Sequence, residues 1–432
     1  RYGYRLAMQL ALGHIPIYWL DGKGYMPVTT FADLFLSGLG LSMIYNGQAL
    51  FLTYKNGFDD TVPDENGKTL KDIVFETSVE RTRELAEFTY WEMVMMFDGN
   101  YGLRDEHQIG DDFDMYLKTI GLKDRLLSQD GAEFSDALVE LLLGYFGDLH
   151  SALSQGSPFA GSDYAVDFNS NGNLSSSYTS MISNMTRYGT WRAKSSSVGI
   201  DGKAFPYLEV GNTAYITFDT FAMNSTQNYY DPEVRQTLAS TAASDNVALI
   251  HYANERINRE GSPVENIVID LSLNGGGMAD AAYFVISWVL GVCNFSTVNP
   301  LSMAQYTVGY KADVNLDGYI TDEDHIDLSK FKVYCLTSEC SFSCGNLAPS
   351  AFKDSGIITL LGRKTGGGAC VVDPIIAADG TVYQYSSRYR LSTVKNGSYY
   401  SIDQGIEPDF VISNPEHMYD RAWLTDYINQ LP

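Results

Sequence analysis

Basic residues are scarce in this chain, with 29 lysines and arginines against 53 aspartates and glutamates over 432 residues, a formal net charge of −24. Such an excess of negative charge disfavours nucleic acid and anionic membrane surfaces as partners. Cysteine is scarcer still. The five residues Cys293, Cys335, Cys340, Cys344 and Cys370 show no metal-ligand spacing, cannot all pair internally and are too few for a disulfide scaffold; they read as small packed side chains. No run reaches the roughly 18 apolar residues of a membrane span, so no transmembrane segment is expected. The first residue is Arg1 rather than methionine, which leaves room for an upstream signal or anchor that has been removed. What is abundant is apolar and small: 45% hydrophobic residues, 39 glycines and 30 tyrosines. That is enough for a sizeable core in two or three units. The acidic, Tyr/Asn/Gly/Ser-rich composition suits a secreted or cell-surface bacterial protein.

Four zones follow along the chain. Residues 1–70 hold short β-like runs at 15–20, 25–29, 42–45 and 49–54, separated by Asp-Gly, Asn-Gly and Gly-Phe-Asp-Asp turn signals, and predict a small β-rich module. Residues 71–155 carry helical periodicity and predict a helical cap. Residues 156–204, rich in Ser, Gly and Asn, read as a flexible connector. From 205 to 432 strand and helix alternate, with strands at 214–218, 267–271, 333–336 and 357–361 and helices at 231–258, 280–290 and 345–354. The alternation predicts an α/β core whose ligands gather at the carboxyl ends of the strands.

Two of those strand ends carry the chemistry. Strand 333–336 breaks into Thr-Ser-Glu-Cys-Ser-Phe-Ser343-Cys-Gly-Asn and then a helix. Unpaired N–H groups and the helix macrodipole at such a junction would stabilise an oxyanion formed beside a serine nucleophile. The same context also fits a plain N-cap. The other strand runs through Asn266-Ile-Val-Ile-Asp-Leu-Ser-Leu-Asn-Gly-Gly-Gly-Met278, where three consecutive glycines exceed what a tight turn needs and can turn N–H groups toward an anion. Two further segments are Gly362-Arg-Lys-Thr-Gly-Gly-Gly-Ala-Cys370 and Asp403-Gln-Gly-Ile-Glu-Pro-Asp409.

In this order the four segments resemble the C-terminal processing (tail-specific) and tricorn-type serine peptidases, over roughly residues 205–412. The resemblance implies a mixed-sheet, crotonase-like peptidase core, giving an α/β (α+β) multidomain chain with the β module and helical cap before it. It also implies peptide or protein substrates and no catalytic cofactor. Ser343 becomes the nucleophile, and the oxyanion hole combines the N–H of Cys344 with one from Gly275, Gly276 or Gly277. Gly366, Gly367, Gly368 and Ala369 are placed to pair with substrate backbone by strand addition. Members of the Ser-Lys kind carry a lysine base where this chain has Gly368, and exposed Lys364 keeps its proton at neutral pH. A histidine is therefore needed, and among six His150, in Gly-Asp-Leu-His-Ser, resembles the element that supplies it in tricorn-like members. Leu149 stands where those members place a polar helper, Asp148 lies two residues before the histidine, and a helix C-cap role is the alternative for His150. Asp403, upstream of Gly405, is the expected orienting acid, while Glu407 and Asp409 are expected to shape the turn.

A separate twelve-residue stretch, Asp313-Val-Asn-Leu-Asp-Gly-Tyr-Ile-Thr-Asp-Glu-Asp324, has oxygen donors at positions 1, 3, 5, 9 and 12: Asp313, Asn315, Asp317, Thr321 and Asp324. Tyr319 offers its carbonyl, Gly318 the sharp turn and Ile320 the apolar anchor. This spacing wraps a hard cation such as Ca²⁺, although it also fits a solvated acidic turn. Ending in Asp after a predicted strand at 306–311, it resembles a dockerin-type loop and implies a structural calcium bracing a hairpin. The sequence thus predicts a secreted serine endopeptidase working through Ser343, His150 and Asp403. The alternatives are a catalytically inactive peptide-binding or cell-surface protein on the same fold and, less favoured for want of a second loop copy, a carbohydrate-assembly component.

Overall fold

The computed structural model describes residues 10, 14–55, 63–76, 79–160, 174–195, 206–395 and 397–432. The chain divides into two compact units, one of Arg1–Thr179, Asn299–Ala304 and Cys370–Arg390, the other of Ser180–Val298, Gln305–Ala369 and Leu391–Pro432. The division does not fall at residue 205: the second unit begins at Ser180, and Cys370–Arg390 belongs to the first unit.

In the first unit, β1 (Tyr18–Leu20) pairs with β2 (Lys23–Tyr25) and β3 (Leu41–Tyr45) with β4 (Leu50–Tyr54), two hairpins within the same compact unit as the helical segment. The strand expected at 25–29 is not formed beyond Tyr25; Val28–Phe31 is helical and continues as further helical turns to Leu39. The Arg83–Asn100 helix starts at a Thr82 cap, which accepts the Leu85 N–H at 3.2 Å, and buries Tyr90, Met93, Phe97 and their neighbours. Phe97 stacks on Phe113 at 4.7 Å and Tyr101 on Phe146 at 4.4 Å. Strands β5 (Ala152–Gln155) and β13 (Cys370–Ile376) pair antiparallel with β14 (Val382–Lys395), which contributes Tyr383 and Tyr385 to the same core.

The second unit is built on the sheet β16-β12-β11-β8-β7-β6, formed by Phe410–Val411, Thr359–Gly362, Lys332–Thr337, Asn266–Asp270, Thr213–Thr217 and Tyr207–Val210. All neighbours are parallel except β6 and β7. β8 is buried along its whole length, as expected of a strand covered on both faces. The helices Asn246–Asn258, Ala279–Leu290 and Cys344–Ser355 pack into the main hydrophobic core. β9 (Cys293–Val298) and β10 (Gln305–Tyr310) form a hairpin, and β15 (Ser398–Ser401) pairs with the end of β14.

The connector expected at 156–204 is corrected where it is described. Ser176–Lys194 is an α-helix whose Met181, Tyr188 and Trp191 join an apolar cluster, Tyr188 being fully buried. Residues 161–173 and 196–205, like the turn signal at 57–60, lie outside the described residues.

Candidate active site

Parallel order places the segments after β8, β11 and β12 at one end of the sheet, since loops after parallel neighbours leave from the same edge. After β11 the chain is fastened to the segment after β8. Ser341 Oγ donates to the Leu271 carbonyl at 2.7 Å, and the Phe342 N–H to the Asn274 carbonyl at 2.9 Å. Ser343 then takes φ 57°, ψ −120° and begins the Cys344–Ser355 helix. That conformation is costly for a residue with a Cβ and persists only where surroundings impose it. A strained strand-to-helix turn of this kind is how a nucleophilic serine is presented. Ser343 makes no side-chain cap hydrogen bond, so the capping alternative is not realised. Its N–H is held by the Gly367 carbonyl at 2.9 Å.

Beside it lies the glycine loop. A Cβ built on Gly276, at φ +112°, would sit 2.8 Å from Ser343 Cβ and 3.2 Å from its Oγ. Asn274 orders the loop: its Oδ1 accepts the Gly276 N–H at 2.8 Å and its Nδ2 donates to the Phe218 carbonyl at 2.9 Å. Of the expected oxyanion donors, Gly276 is therefore corrected, its N–H being spent on Asn274. The N–H groups of Cys344, Gly275 and Gly277 make no hydrogen bond among the described residues.

The Gly-rich segment after β12 is also corrected in part. The Gly366 N–H bonds the Ser341 carbonyl, the Gly368 N–H the Asp403 carbonyl, and both backbone groups of Ala369 are engaged, its N–H by Asp403 Oδ1 at 3.0 Å. These glycines wedge between the nucleophile turn and the Asp403 turn, so their occupied groups are not open to a substrate strand. Lys364 faces Glu407 at 3.5 Å, both well exposed. Asp409 accepts the Leu360 N–H at 2.9 Å, a turn-shaping contact of the kind expected. All five cysteines are buried thiols outside any disulfide, and burial pushes the Cys344 thiol up to about 12, which keeps it out of nucleophilic chemistry.

His150 belongs to the first unit, whereas Ser343, Gly275–Gly277 and Asp403 belong to the second. Its ring is buried, with Nδ1 3.4 Å from Ser386 Oγ. Asp148 does not approach the ring in the contacts it makes: Oδ1 accepts the N–H groups of His150 and Ser151, and Oδ2 the hydroxyls of Ser151 and Tyr101. Leu149 occupies the left-handed region at φ 64°. Sequence reasoning missed Ser386, for which no local motif exists, and the ordering role of Asn274, which was in view within Asn-Gly-Gly-Gly.

In the second unit residues 313–324 close on their own carboxylates. Asp313 Oδ2 accepts the Gly318 N–H at 2.7 Å, and Asp324 accepts the N–H groups of Val314, Asn315 and Thr321. Gly318, at φ +93°, makes the sharp turn. Among the described residues none of Asp313, Asp317 and Asp324 has a Lys or Arg partner. Among the described residues no group of three or more His, Cys, Asp or Glu side chains is arranged to hold a metal ion, and in this loop the carboxylates are turned onto backbone N–H groups. Ile320 departs from its expected anchoring role; it is 55% exposed.

Residues 212–412 match peptidase family S41. The match covers just under half of the chain, which over that stretch is similar to the family. S41 peptidases are serine hydrolases, and the mixed α/β multidomain architecture agrees with this. Among solved structures, a protein of Parabacteroides merdae ATCC 43184 named as a candidate peptidase is 14% identical over 81% of this chain and 96% of its own, with a TM-score of 0.51. The photosystem II D1 C-terminal processing protease is 19% identical over 50% of this chain, with a TM-score of 0.32. The tricorn protease is 14% identical over 96%, with a TM-score of 0.38. The matches span 46% and 45% of those two proteins' own lengths. Curated protein sequences yield no match.

Proposed function

We propose that this chain is a serine endopeptidase of the C-terminal processing/tricorn type, secreted or displayed on a bacterial surface. The observation that carries the reading is the strained Ser343, seated at a helix start beside unpaired amides. Ser343 Oγ attacks the scissile carbonyl while its proton passes to His150. The carbonyl oxygen becomes an oxyanion facing the Cys344 N–H and an N–H of Gly275 or Gly277. Collapse breaks the C–N bond, His150 returns the proton to the leaving amine, and water releases the acyl group by the same steps reversed. Asp403 is the orienting acid in this reading.

A fluorophosphonate probe tests it on the full chain. One adduct on Ser343 is expected by intact and peptide mass, absent in Ser343→Ala and lost or greatly slowed in His150→Ala. No adduct at saturating probe sinks the enzyme and leaves a peptide-binding protein on the same fold. An adduct undiminished in His150→Ala removes the histidine from the scheme.

We infer further that Asp313, Asn315, Asp317, Thr321, Asp324 and the Tyr319 carbonyl hold a structural Ca²⁺ that neutralises the loop and has no part in the chemistry. Calcium at about 100 times its dissociation constant should stabilise the chain by about 2.7 kcal/mol. The melting temperature should rise with calcium, fall back with EDTA, and lose this response in Asp313→Asn/Asp317→Asn. A calcium-independent melting temperature in the wild type rules the site out.

A further inference from the structure

One buried side chain touches both segments that flank the nucleophile turn. Asn346 stands three residues after Ser343, on the first turn of the same helix, and is fully buried. Its Oδ1 accepts the Thr365 hydroxyl at 2.6 Å, and its Nδ2 donates to the Ile402 carbonyl at 2.9 Å. Thr365, itself buried, passes the connection on: its Oγ1 accepts the Ile406 N–H at 2.6 Å, and its own N–H bonds the Ile406 carbonyl at 3.0 Å. Gly405, at φ +80°, allows the close approach, since a Cβ there would lie 2.2 Å from the Thr365 carbonyl. Ile402 and Ile406 bracket Asp403, while Thr365 leads into Gly367, whose carbonyl holds the Ser343 N–H.

Asn346 satisfies a donor and an acceptor on two different segments, and a buried amide that loses either partner carries the full cost of an unpaired polar group. Helix, Gly-rich segment and Asp403 turn therefore cannot shift relative to one another without breaking this pair of bonds.

We propose that Asn346, acting with the Thr365 hydroxyl, is a positioning residue that fixes the Ser343 turn relative to the Asp403 carboxylate. The proposal rests on the peptidase reading and adds residues that no part of the catalytic scheme requires by chemistry. Neither side chain meets substrate; both act through where they hold Ser343 and Asp403. Small misplacements of a reacting group far from the chemistry can cost about 100-fold in rate.

The test is the second-order rate of Ser343 modification by a fluorophosphonate in the full chain, well below its melting temperature and as a function of pH. Thr365→Val keeps shape and removes the hydroxyl; Thr365→Ser keeps the hydroxyl. The expected result is a rate about 10- to 100-fold lower in Thr365→Val with an altered pH profile, and within about 3-fold of wild type in Thr365→Ser. Asn346→Asp, which keeps the acceptor and loses the donor to the Ile402 carbonyl, should match Thr365→Val and supplies the answer if that variant does not fold. A purely structural role would lower the melting temperature and leave the rate and pH profile of the folded protein unchanged, and that result overturns the proposal. So does a Thr365→Ser variant as slow as Thr365→Val, because the hydroxyl is then not what matters. A labelled wild type with unaffected variants defeats this inference alone, whereas an unlabelled wild type defeats the peptidase reading and this inference with it.

Discussion

Replacing Gly276 by alanine is expected to abolish fluorophosphonate capture at Ser343 while leaving the second unit folded. The added methyl carbon would lie 2.8 Å from Ser343 Cβ, 3.1 Å from the Phe342 carbonyl oxygen and 3.2 Å from Ser343 Oγ. None of these neighbours is the loose end of a flexible side chain. Phe342 is tied through its N–H to Asn274 and Ser343 through its N–H to Gly367. Gly276 is held as firmly, its N–H by Asn274 Oδ1 and its carbonyl by the Phe221 N–H and the Thr220 hydroxyl. Its φ of +112° adds a conformational cost of order 1–3 kcal/mol for any residue with a Cβ. Relief requires moving the Ser343 turn or the loop, and either separates the hydroxyl from the amides. Gly275→Ala is the stability control: nothing lies within 4 Å of a Cβ there, so a melting temperature close to wild type is expected. If Gly276→Ala is labelled at the wild-type rate, the loop does not abut a working nucleophile.

The elements that carry this site were legible because they are strong local signals. Ile267-Val268-Ile269 followed by Leu271 is a fully buried β-branched run, and glycines mark where it ends. The nucleophile turn announced itself by small residues between an apolar strand and a helix. Less was visible where burial erases alternation. β14 presents Tyr383, Tyr385, Ser386 and Ser387 all buried, so no polar face betrays a strand. The Ser176–Lys194 helix was hidden by a Ser/Thr-rich composition whose apolar residues, Met181, Tyr188 and Trp191, find their partners at Tyr334, Met418 and Tyr419, far along the chain. The continuous helix expected at 231–258 is interrupted, because Asp245 caps a new start by accepting the Val247 N–H at 2.9 Å. Positioning contacts are the least legible of all: Asn346 meets a carbonyl 56 residues away, and no spacing rule encodes that.

Stability of the first unit is expected to fall as pH rises from about 4.5 to 7, and Glu92→Gln should flatten the part of that slope that Glu92 contributes, leaving the part due to Asp33. Glu92 lies on the Arg83–Asn100 helix, is 2% exposed, and accepts the hydroxyls of Thr29 and Thr30 through one oxygen at 2.8 and 2.7 Å. Among the described residues its other oxygen has no hydrogen-bond partner, and neither has one oxygen of buried Asp33. The charged groups around the pair offer little relief: Asp379 is bound by Arg81 at 3.0 Å, and Asp373 by Lys55. Burial first, reinforced by the Asp379 charge, outweighs the two hydroxyls and the Ala378 N–H and pushes the Glu92 carboxyl up to about 7, well above the ordinary glutamate range. Burial and the neighbouring Glu92 likewise raise Asp33 well above the carboxylate range. A carboxyl raised in the folded state is neutral in both states at pH 4 and imposes no penalty there. Between 4.5 and 7 the unfolded chain releases its proton and the folded one resists, so stability declines and reaches its lower plateau above 7. The full difference for Glu92 is about 3 kcal/mol. Glutamine accepts the same two hydroxyl bonds and never ionises, so Glu92→Gln should protect the Arg83–Asn100 helix from hydrogen exchange better than wild type at pH 8 and no better at pH 4.5. Equal slopes in the two proteins across that range would show that Glu92 reaches solvent or a cation on ionising, and the buried-acid account of this contact would then fail.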